Sequence, residues 1–307
     1  MKLKIYITLL VLIPVISCNA ELQNNQNEPD SKRTNFCNTS LKTPISTKAY
    51  DLEIFNKVVK YGSENFYNQT PAPDIITYLS KFFLNTPYVA HTLEIPGDEQ
   101  LVVNLREMDC TTFVEYVVAF TLLLKENRTD FERFIQLLAC IRYRNGIIDG
   151  YPSRLHYFTE WLHNNAEKGI LEIVSNQLSD KPYVTNVFFM SSNPGLYRQL
   201  ENPDYVSRIK ETETVISEFE MNYIPKDRIV EYENQIKEGD IIAFTTNIAG
   251  LDVSHTGFAV HRNGRLHLLH ASTRTNQIEI SPVPLSEYLA PMSRVTGIIV
   301  GRLTMPG

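Results

Sequence analysis

The feature that most narrows what this chain can fold into is a turn. Arg262, Asn263 and Gly264 separate two strand-like runs, residues 256–261 and 266–270. Asn-Gly between such runs is the strongest short-range signal for a β-hairpin. The hairpin predicts that its strand ends come together at the end away from the turn. His255, in Val253-Ser254-His255-Thr256-Gly257-Phe258, and His270, in Leu268-Leu269-His270-Ala271-Ser272, fall at that open end. Further strand-like runs at 241–245, 278–280 and 294–303 extend the pattern. The first half of the chain reads differently. Ile54, Val58 and Val59 repeat at helical spacing, and so do Ile75, Ile76, Leu79, Phe82 and Phe83 after the breakers Pro71 and Pro73. Residues 101–105 look extended and 110–124 form a strongly apolar helix. Thr129 or Asp130 can cap a helix ending near Arg144, and Ser153 a helix running through Leu155, Phe158, Trp161 and Leu162. Residues 180–233 show no clear period. Helices first and antiparallel strands second predict an α+β fold.

The 307 residues are 43% hydrophobic and include 16 Tyr and 15 Phe, enough for a sizeable core in one large domain. A net charge of −6 gives no basic field to replace phosphate counterions, so no nucleic-acid partner is expected. Lys2 and Lys4 precede an apolar run over residues 5–16, followed by Val15-Ile16-Ser17-Cys18. That is the order of a signal peptide, and it falls short of the roughly 20 apolar residues a transmembrane helix needs. A small residue before a Cys, preceded by aliphatics, resembles the lipobox of bacterial lipoproteins. The resemblance implies lipidation of Cys18, export across the inner membrane and a lipid-anchored, periplasmic protein. Ordinary cleavage, after Ala20 for example, is the alternative. Two or three acyl chains would hold the chain on a membrane where one would not. Residues 1–18 thus read as signal peptide and lipobox, 19–46 as a polar tether and 47–307 as a single catalytic domain.

Three cysteines remain in the mature chain, Cys37, Cys110 and Cys140. An odd number in an exported protein points to a free thiol. A Cys37–Cys140 disulfide is open from sequence alone. Cys140, inside the apolar helical run 134–141, reads as a small buried hydrophobe. Cys110 stands where the extended segment meets the apolar helix. There the positive end of the helix dipole favours thiolate and lowers a thiol pKa of about 8.5, and thiolate is the nucleophilic form. Of the seven histidines, His156 and His163 fall on a helical segment, His91 in a loop, and His261 and His267 beside the turn, facing solvent. His255 is the candidate base and His270 the residue that holds it in one tautomer. Gly257 leaves room for a close approach to the strand. No zinc spacing such as His-Glu-x-x-His occurs, so neither metal nor cofactor is expected.

A helix-start Asp109-Cys110, a strand-start His255-Thr256-Gly257 and a hairpin ending in Leu269-His270-Ala271-Ser272 are similar to the NlpC-type papain-like hydrolases of bacterial cell walls. The resemblance implies a Cys-bearing helix packed on an antiparallel sheet, here with a large helical insertion. It implies Cys110 as nucleophile, His255 as base and His270 as orienter. Thr86-Pro87-Tyr88-Val89 looks like that family's Pro-Tyr segment, whose Tyr hydroxyl lies near the oxyanion site. Here the spacing to Cys110 is longer and a Gly pair is missing, so Asn104 is a second oxyanion candidate beside Tyr88. Leu101-Val102-Val103-Asn104-Leu105, Asp109-Cys110-Thr111-Thr112-Phe113-Val114-Glu115, Arg154-Leu155-His156-Tyr157-Phe158-Thr159-Glu160-Trp161 and Ser254-His255-Thr256-Gly257 together resemble the N-acetylmuramoyl-L-alanine amidase-like subfamily. That likeness implies cleavage between muramic acid, preferably the 1,6-anhydro form, and L-alanine. The partner implied is a muropeptide or peptidoglycan fragment. Arg154, His156, Tyr157 and Trp161 are candidates for reading the sugar. The first rival is an endopeptidase cutting after γ-D-glutamate in the stem peptide, for which Asp109 would hold the free L-alanine amine. Others are a noncatalytic muropeptide-binding lipoprotein and a cysteine acyltransferase.

Overall fold

The computed structural model describes Cys37, residues 41–66 and residues 70–304. The residues read as signal peptide, as lipobox with Cys18 and as most of the tether lie outside the described residues. Among the described residues no helix is long and apolar enough to cross a membrane.

Five helices form the first layer: α1 (Ala49–Asn65), α2 (Ala72–Phe82), α3 (Cys110–Lys125), α4 (Phe131–Arg142) and α5 (Phe158–Glu167). The central one is α3, where every residue from Thr112 to Leu123 is buried. A helix apolar on all sides has to be surrounded, and α1, α2, α4 and the sheet surround it. Its start is fixed by Asp109. One Asp109 carboxylate oxygen accepts from the Thr112 amide at 2.8 Å, and the Asp109 amide donates to the Thr112 hydroxyl at 3.0 Å. This reciprocal cap satisfies two donors that a helix start leaves open, and it sets where Cys110, the first helical residue, must stand. Residues 101–106, leading into α3, are tied to α1 and α4. Asp51 accepts from the Leu105 amide at 2.9 Å and from Arg106 at 3.0 Å, and buried Arg142 donates to the Val102 carbonyl at 2.6 Å. Arg142 also pairs with Glu115 of α3 at 2.7 Å, both almost fully enclosed.

The second layer is a seven-stranded sheet. Its strands are β3 (Leu171–Ile173), β4 (Ile224–Pro225), β5 (Ile241–Thr246), β6 (Val253–Arg262), β7 (Arg265–Ser272), β8 (Gln277–Ile280) and β9 (Val295–Leu303). They run in the order β3-β9-β5-β6-β7-β8, with β4 also on β9 and every pairing antiparallel. The fold is α+β, as the order of patterns predicts. Both faces of the sheet are covered, so the strands read as continuous apolar runs. Ile241, Ala243, Phe258, Val260, Leu269 and Ile299 join the helical core. Ile242, Phe244, Ala259, Leu268, Ile298 and Val300 join a smaller core on the other face, closed by Leu285, Tyr288 and Leu289. The β6–β7 turn takes positive φ at Asn263 (51°) and Gly264 (75°), the two-residue geometry that Asn-Gly favours. A third cluster around Tyr157, Met190 and Ile209 holds the region between β3 and β4, including the helix Pro203–Ile216.

Several sequence expectations need correction. A disulfide joins Cys37 to Cys140, so Cys140 is buried but not merely a small hydrophobe. The folded region also begins before residue 47: Cys37 is bonded to α4, and β1 (Ile45–Ser46) pairs in parallel with β2 (Leu101–Val102). Ser153 caps no helix. Its hydroxyl accepts from the Asp149 amide and donates to the Gly150 carbonyl, and α5 starts only at Phe158. Arg154 and His156 therefore lie on an extended segment, where Arg154 bridges to Tyr143. His267 is buried, with Nδ1 2.9 Å from the Ser281 carbonyl, and His261 contacts Glu238.

Candidate active site

Cys110 and His255 line one cavity of about 190 Å³. Its walls come from four places: the start of α3 (Cys110, Thr111), the loop at His91 and Glu94, the segment 151–158, and residues 251–256 entering β6. Met190 and Tyr197, from the region between β3 and β4, complete the lining. Two larger depressions, of about 570 and 600 Å³, lie over residues 176–222 and have no histidine or cysteine in their walls. Among the described residues Cys110 is the free cysteine.

The histidine pair is built by the sheet. His255 Nε2 lies 2.7 Å from His270 Nδ1, with the rings at 89° and centroids 4.9 Å apart. Gly257 makes this contact possible. A Cβ there would fall 2.7 Å from the Leu269 carbonyl and 2.8 Å from His270 Cβ, closer than real side chains pack. Phe244 lies 5.3 Å from the His255 ring and Tyr288 5.5 Å from that of His270. With Nε2 engaged, Nδ1 is the His255 nitrogen left for proton transfer.

The electrostatics overturn one expectation. The Cys110 thiol is pushed up to about 12, first by burial and then by the adjacent Asp109 carboxylate. Hydrogen bonds from the Thr256 backbone and from Thr111 pull the other way without offsetting that rise. The helix start thus does not by itself yield a resting thiolate, because desolvation and a neighbouring anion outweigh the dipole. His255 is pushed down to about 4 by burial. Both effects favour a neutral thiol beside a neutral imidazole. His270 is pushed lower still, to about 2, by burial, by His255 and by Arg274.

The other sequence candidates divide. Tyr88 sits close to Cys110: its pKa rises to about 12 through burial, then through Cys110 and Asp109, so its phenol keeps its proton as a donor. Its backbone bridges to Met108, just ahead of Cys110. Asn104 does not reach the cavity. Its amide bonds Glu107 at 3.4 Å and its carbonyl accepts from the Arg106 amide at 3.2 Å. Asp109 is occupied as the cap of α3. Arg154 is buried and held by Glu99 at 2.8 and 2.9 Å and by Glu94 at 2.8 Å, so its guanidinium supports Glu94 rather than facing a ligand. Tyr157 lines the cavity, but its hydroxyl donates to Glu213 at 2.6 Å and accepts from the Met190 amide. Trp161 is fully buried, stacked on Phe158 at 5.0 Å, and belongs to the core. His156 remains in the cavity. Its Nε2 is 2.8 Å from the Tyr151 carbonyl, which can only accept. In the neutral ring, favoured by a pKa pushed down to about 3, Nδ1 is then an acceptor.

Sequence reasoning missed His91, Glu94, Tyr151, Met190, Tyr197 and Asp252. Glu94 Oε2 is buried without a hydrogen-bond partner. Asp252 anchors the wall, accepting from the Thr159 amide and hydroxyl at 2.7 Å and from the Val253 amide at 2.7 Å. No local pattern marks these residues, because they come from loops that only the fold brings together. No group of three metal-ligating side chains is placed to hold an ion among the described residues.

The family model described as AmiA-like, N-acetylmuramoyl-L-alanine amidase-like, matches residues 78–298. The crystal structure of an N-acetylmuramoyl-L-alanine amidase from Bacteroides uniformis is 42% identical, covers 76% of this chain and 99% of that one, and superposes with a TM-score of 0.73. A Bacteroides fragilis structure provisionally named a xylanase is also 42% identical, over 73% of this chain and 98% of that one, with a TM-score of 0.69. A Legionella pneumophila protein at 22% identity, covering 85% of this chain and 97% of that one with a TM-score of 0.62, shares the fold. No curated protein matches.

Proposed function

The chain belongs to the N-acetylmuramoyl-L-alanine amidase-like family, and from that premise we propose that it is a cysteine amidase. Its proposed reaction is cleavage of the amide between N-acetylmuramic acid, preferably the 1,6-anhydro form, and the L-alanine of muropeptides. The observation that carries this reading is the shared cavity of Cys110 and His255, with His255 Nε2 held by His270. On the same reading, α3 and the sheet form a papain-like NlpC-type core, and the inserted region supplies a further wall.

The neutral resting pair sets the order of proton transfers. His255 Nδ1 takes the thiol proton as sulfur attacks the lactyl carbonyl of the muramoyl group. The imidazolium then gives that proton to the departing alanine nitrogen as the C–N bond breaks, leaving a muramoyl thioester. Water, deprotonated by neutral His255, adds to the thioester, and the thiol leaves with the proton. Backbone N–H groups at the start of α3 and the Tyr88 hydroxyl are the donors for the tetrahedral oxyanion. Asn104 is set aside because its side chain is occupied. The cavity is small beside the ~300–1,000 Å³ of pockets that enclose drug-sized ligands. It would hold the unit around the scissile bond, with the rest of the muropeptide lying outside.

A glycosidase reading, suggested by the name of one relative, would need two carboxylates flanking a sugar bond, roughly 5–9.5 Å apart and free to act. Of the two carboxylates in the cavity wall, Asp252 is engaged by three donors and Glu94 is held by Arg154 through Oε1, which leaves one open carboxylate oxygen, Glu94 Oε2, where that reaction needs two free groups. We further propose export and lipid anchoring through Cys18, tested by whether Cys18→Ala moves the chain from the membrane to the soluble fraction.

The deciding experiment is mass spectrometry of products from anhydro-muramoyl and reducing muramoyl peptides, with a Cys110→Ala control. A stem peptide beginning at L-alanine, released by wild type alone and faster from the anhydro form, supports the amidase. Fragments split after γ-D-glutamate overturn it in favour of the endopeptidase. Binding without turnover overturns it in favour of a noncatalytic role.

A further inference from the structure

His270 ends neither the row of polar side chains nor the chain of proton positions. Glu279 of β8 stands directly opposite His270 of β7 in the antiparallel register. Its Oε1 lies 4.0 Å from His270 Nε2. Both atoms are buried, and neither has a hydrogen-bond partner. An unpaired buried polar atom costs about 1–3 kcal/mol, so two of them facing each other across one ladder are unexplained by packing. His255, His270 and Glu279 thus form one row across three neighbouring strands.

The proton positions follow from the chemistry. For His255 Nδ1 to act as a base, its ring proton must sit on Nε2, which then donates to His270 Nδ1. A neutral His270 accepting at Nδ1 carries its own proton on Nε2. Among the described residues the carboxylate oxygen across from that N–H is the buried Glu279 Oε1. We propose that Glu279 is a positioning residue for the reaction: it accepts from His270 Nε2–H, fixes His270 in the Nε2–H tautomer, and through it keeps His255 Nδ1 free for the thiol proton. The 4.0 Å gap is too long for a hydrogen bond. It closes when positive charge reaches the histidine pair, as bonds at catalytic groups tighten in the reacting complex. Cationic charge on the pair meets Glu279 from β8, and is opposed by Arg274 from the β7–β8 turn, which itself lies over the Tyr288 ring of the neighbouring helix. Glu279 is thus the one anion in the set facing His270.

The inference rests on the amidase reading, and its test separates the two. Imidazole ¹⁵N spectra of the full chain need no turnover. Wild type should show His270 as a single Nε2–H tautomer, and Glu279→Leu a mixture. In kinetics, Glu279→Leu should lower kcat by at least 10-fold with KM unchanged, and move the acid limb of kcat to lower pH. Glu279→Gln, which keeps an acceptor oxygen but not the charge, should recover part of kcat and not the limb. Unchanged tautomer and pH profile in Glu279→Leu overturn the inference. Full activity of Cys110→Ala would overturn the amidase reading while leaving the tautomer result standing. If Glu279→Leu fails to fold, Glu279→Gln decides: a wild-type acid limb in that variant overturns the proposal.

Discussion

The β6–β8 row and the cavity wall over residues 144–161 both carry residue types that suggest chemistry, but they use them differently. In the wall, Arg154 is held by two carboxylates, the Tyr157 hydroxyl both donates and accepts, and Trp161 is stacked in the core. Along the row, His255 and His270 share one hydrogen bond, and His270 Nε2 and Glu279 Oε1 are left open. The difference is one of alignment: buried atoms without a hydrogen-bond partner occur in both regions, Arg144 Nη2, Glu160 Oε2 and Trp161 Nε1 in the wall as well as the two in the row, but the two in the row face each other and continue the line of the His255–His270 bond. Arg154 and the Tyr157 hydroxyl, with their bonds made inside the protein, support the fold, while the open pair in line with His255 is available to a reaction. Residue type alone does not distinguish them.

The largest expected effect tests the open side. Cys110→Ala should lower kcat by at least about 10⁴-fold, as loss of a covalent nucleophile does, with the unfolding midpoint near that of wild type. Steady-state rates and a denaturant curve check both halves. Retained turnover would move the chemistry away from this row.

The next effect tests the wall. Arg154→Met leaves Glu94 and Glu99 without their cation. Breaking a buried pair in this way costs about 3–5 kcal/mol, read from denaturant unfolding. An unchanged stability together with a raised KM would show that Arg154 meets substrate, and the contrast between the two regions would collapse.

How much of this was legible depended on how local the cause was. The β6–β7 hairpin was legible because Asn263-Gly264 encodes its turn in two adjacent residues. The α3 start was legible because the extended run 101–105 gives way within a few residues to the apolar run 110–124, and the Asp109–Thr112 cap fixes it there. The Cys37–Cys140 bond was not, since its partners are 103 residues apart and nothing in either neighbourhood names the other. Ser153 misled because its hydroxyl serves a tight turn with Gly150 rather than a helix, and both uses favour the same residue. The thiol's high pKa was hidden for a related reason. The dipole is a local property of a helix start, whereas burial depends on everything packed around it.

A smaller effect concerns that disulfide, which fastens Cys37 to α4 in the helical layer. Reduction, or Cys37→Ser, should lower stability by about 2–4 kcal/mol and leave kcat of the folded protein unchanged. A loss of kcat beyond the unfolded fraction would mean that the helical layer transmits its strain to the Cys110 helix.

The smallest effect in ordinary assay conditions comes from pH, and it again separates the regions. His255 and His270 of the row and His156 of the wall are all pushed down by burial, to about 4, 2 and 3. Unfolded histidines titrate near 6.5. Between that value and the folded ones, the unfolded chain binds more protons, so stability is full above pH 6.5 and falls as pH drops toward 4. Activity should follow His255 alone: the neutral base persists until the pH nears 4, and the neutral thiol until it nears 12. A rate profile flat from about pH 5 to 9, over a range in which stability already declines on the acid side, is the expected result. An acid limb near 6.5 would instead place His255 in contact with water, and the row would lose the burial that sets it apart from an ordinary surface pair.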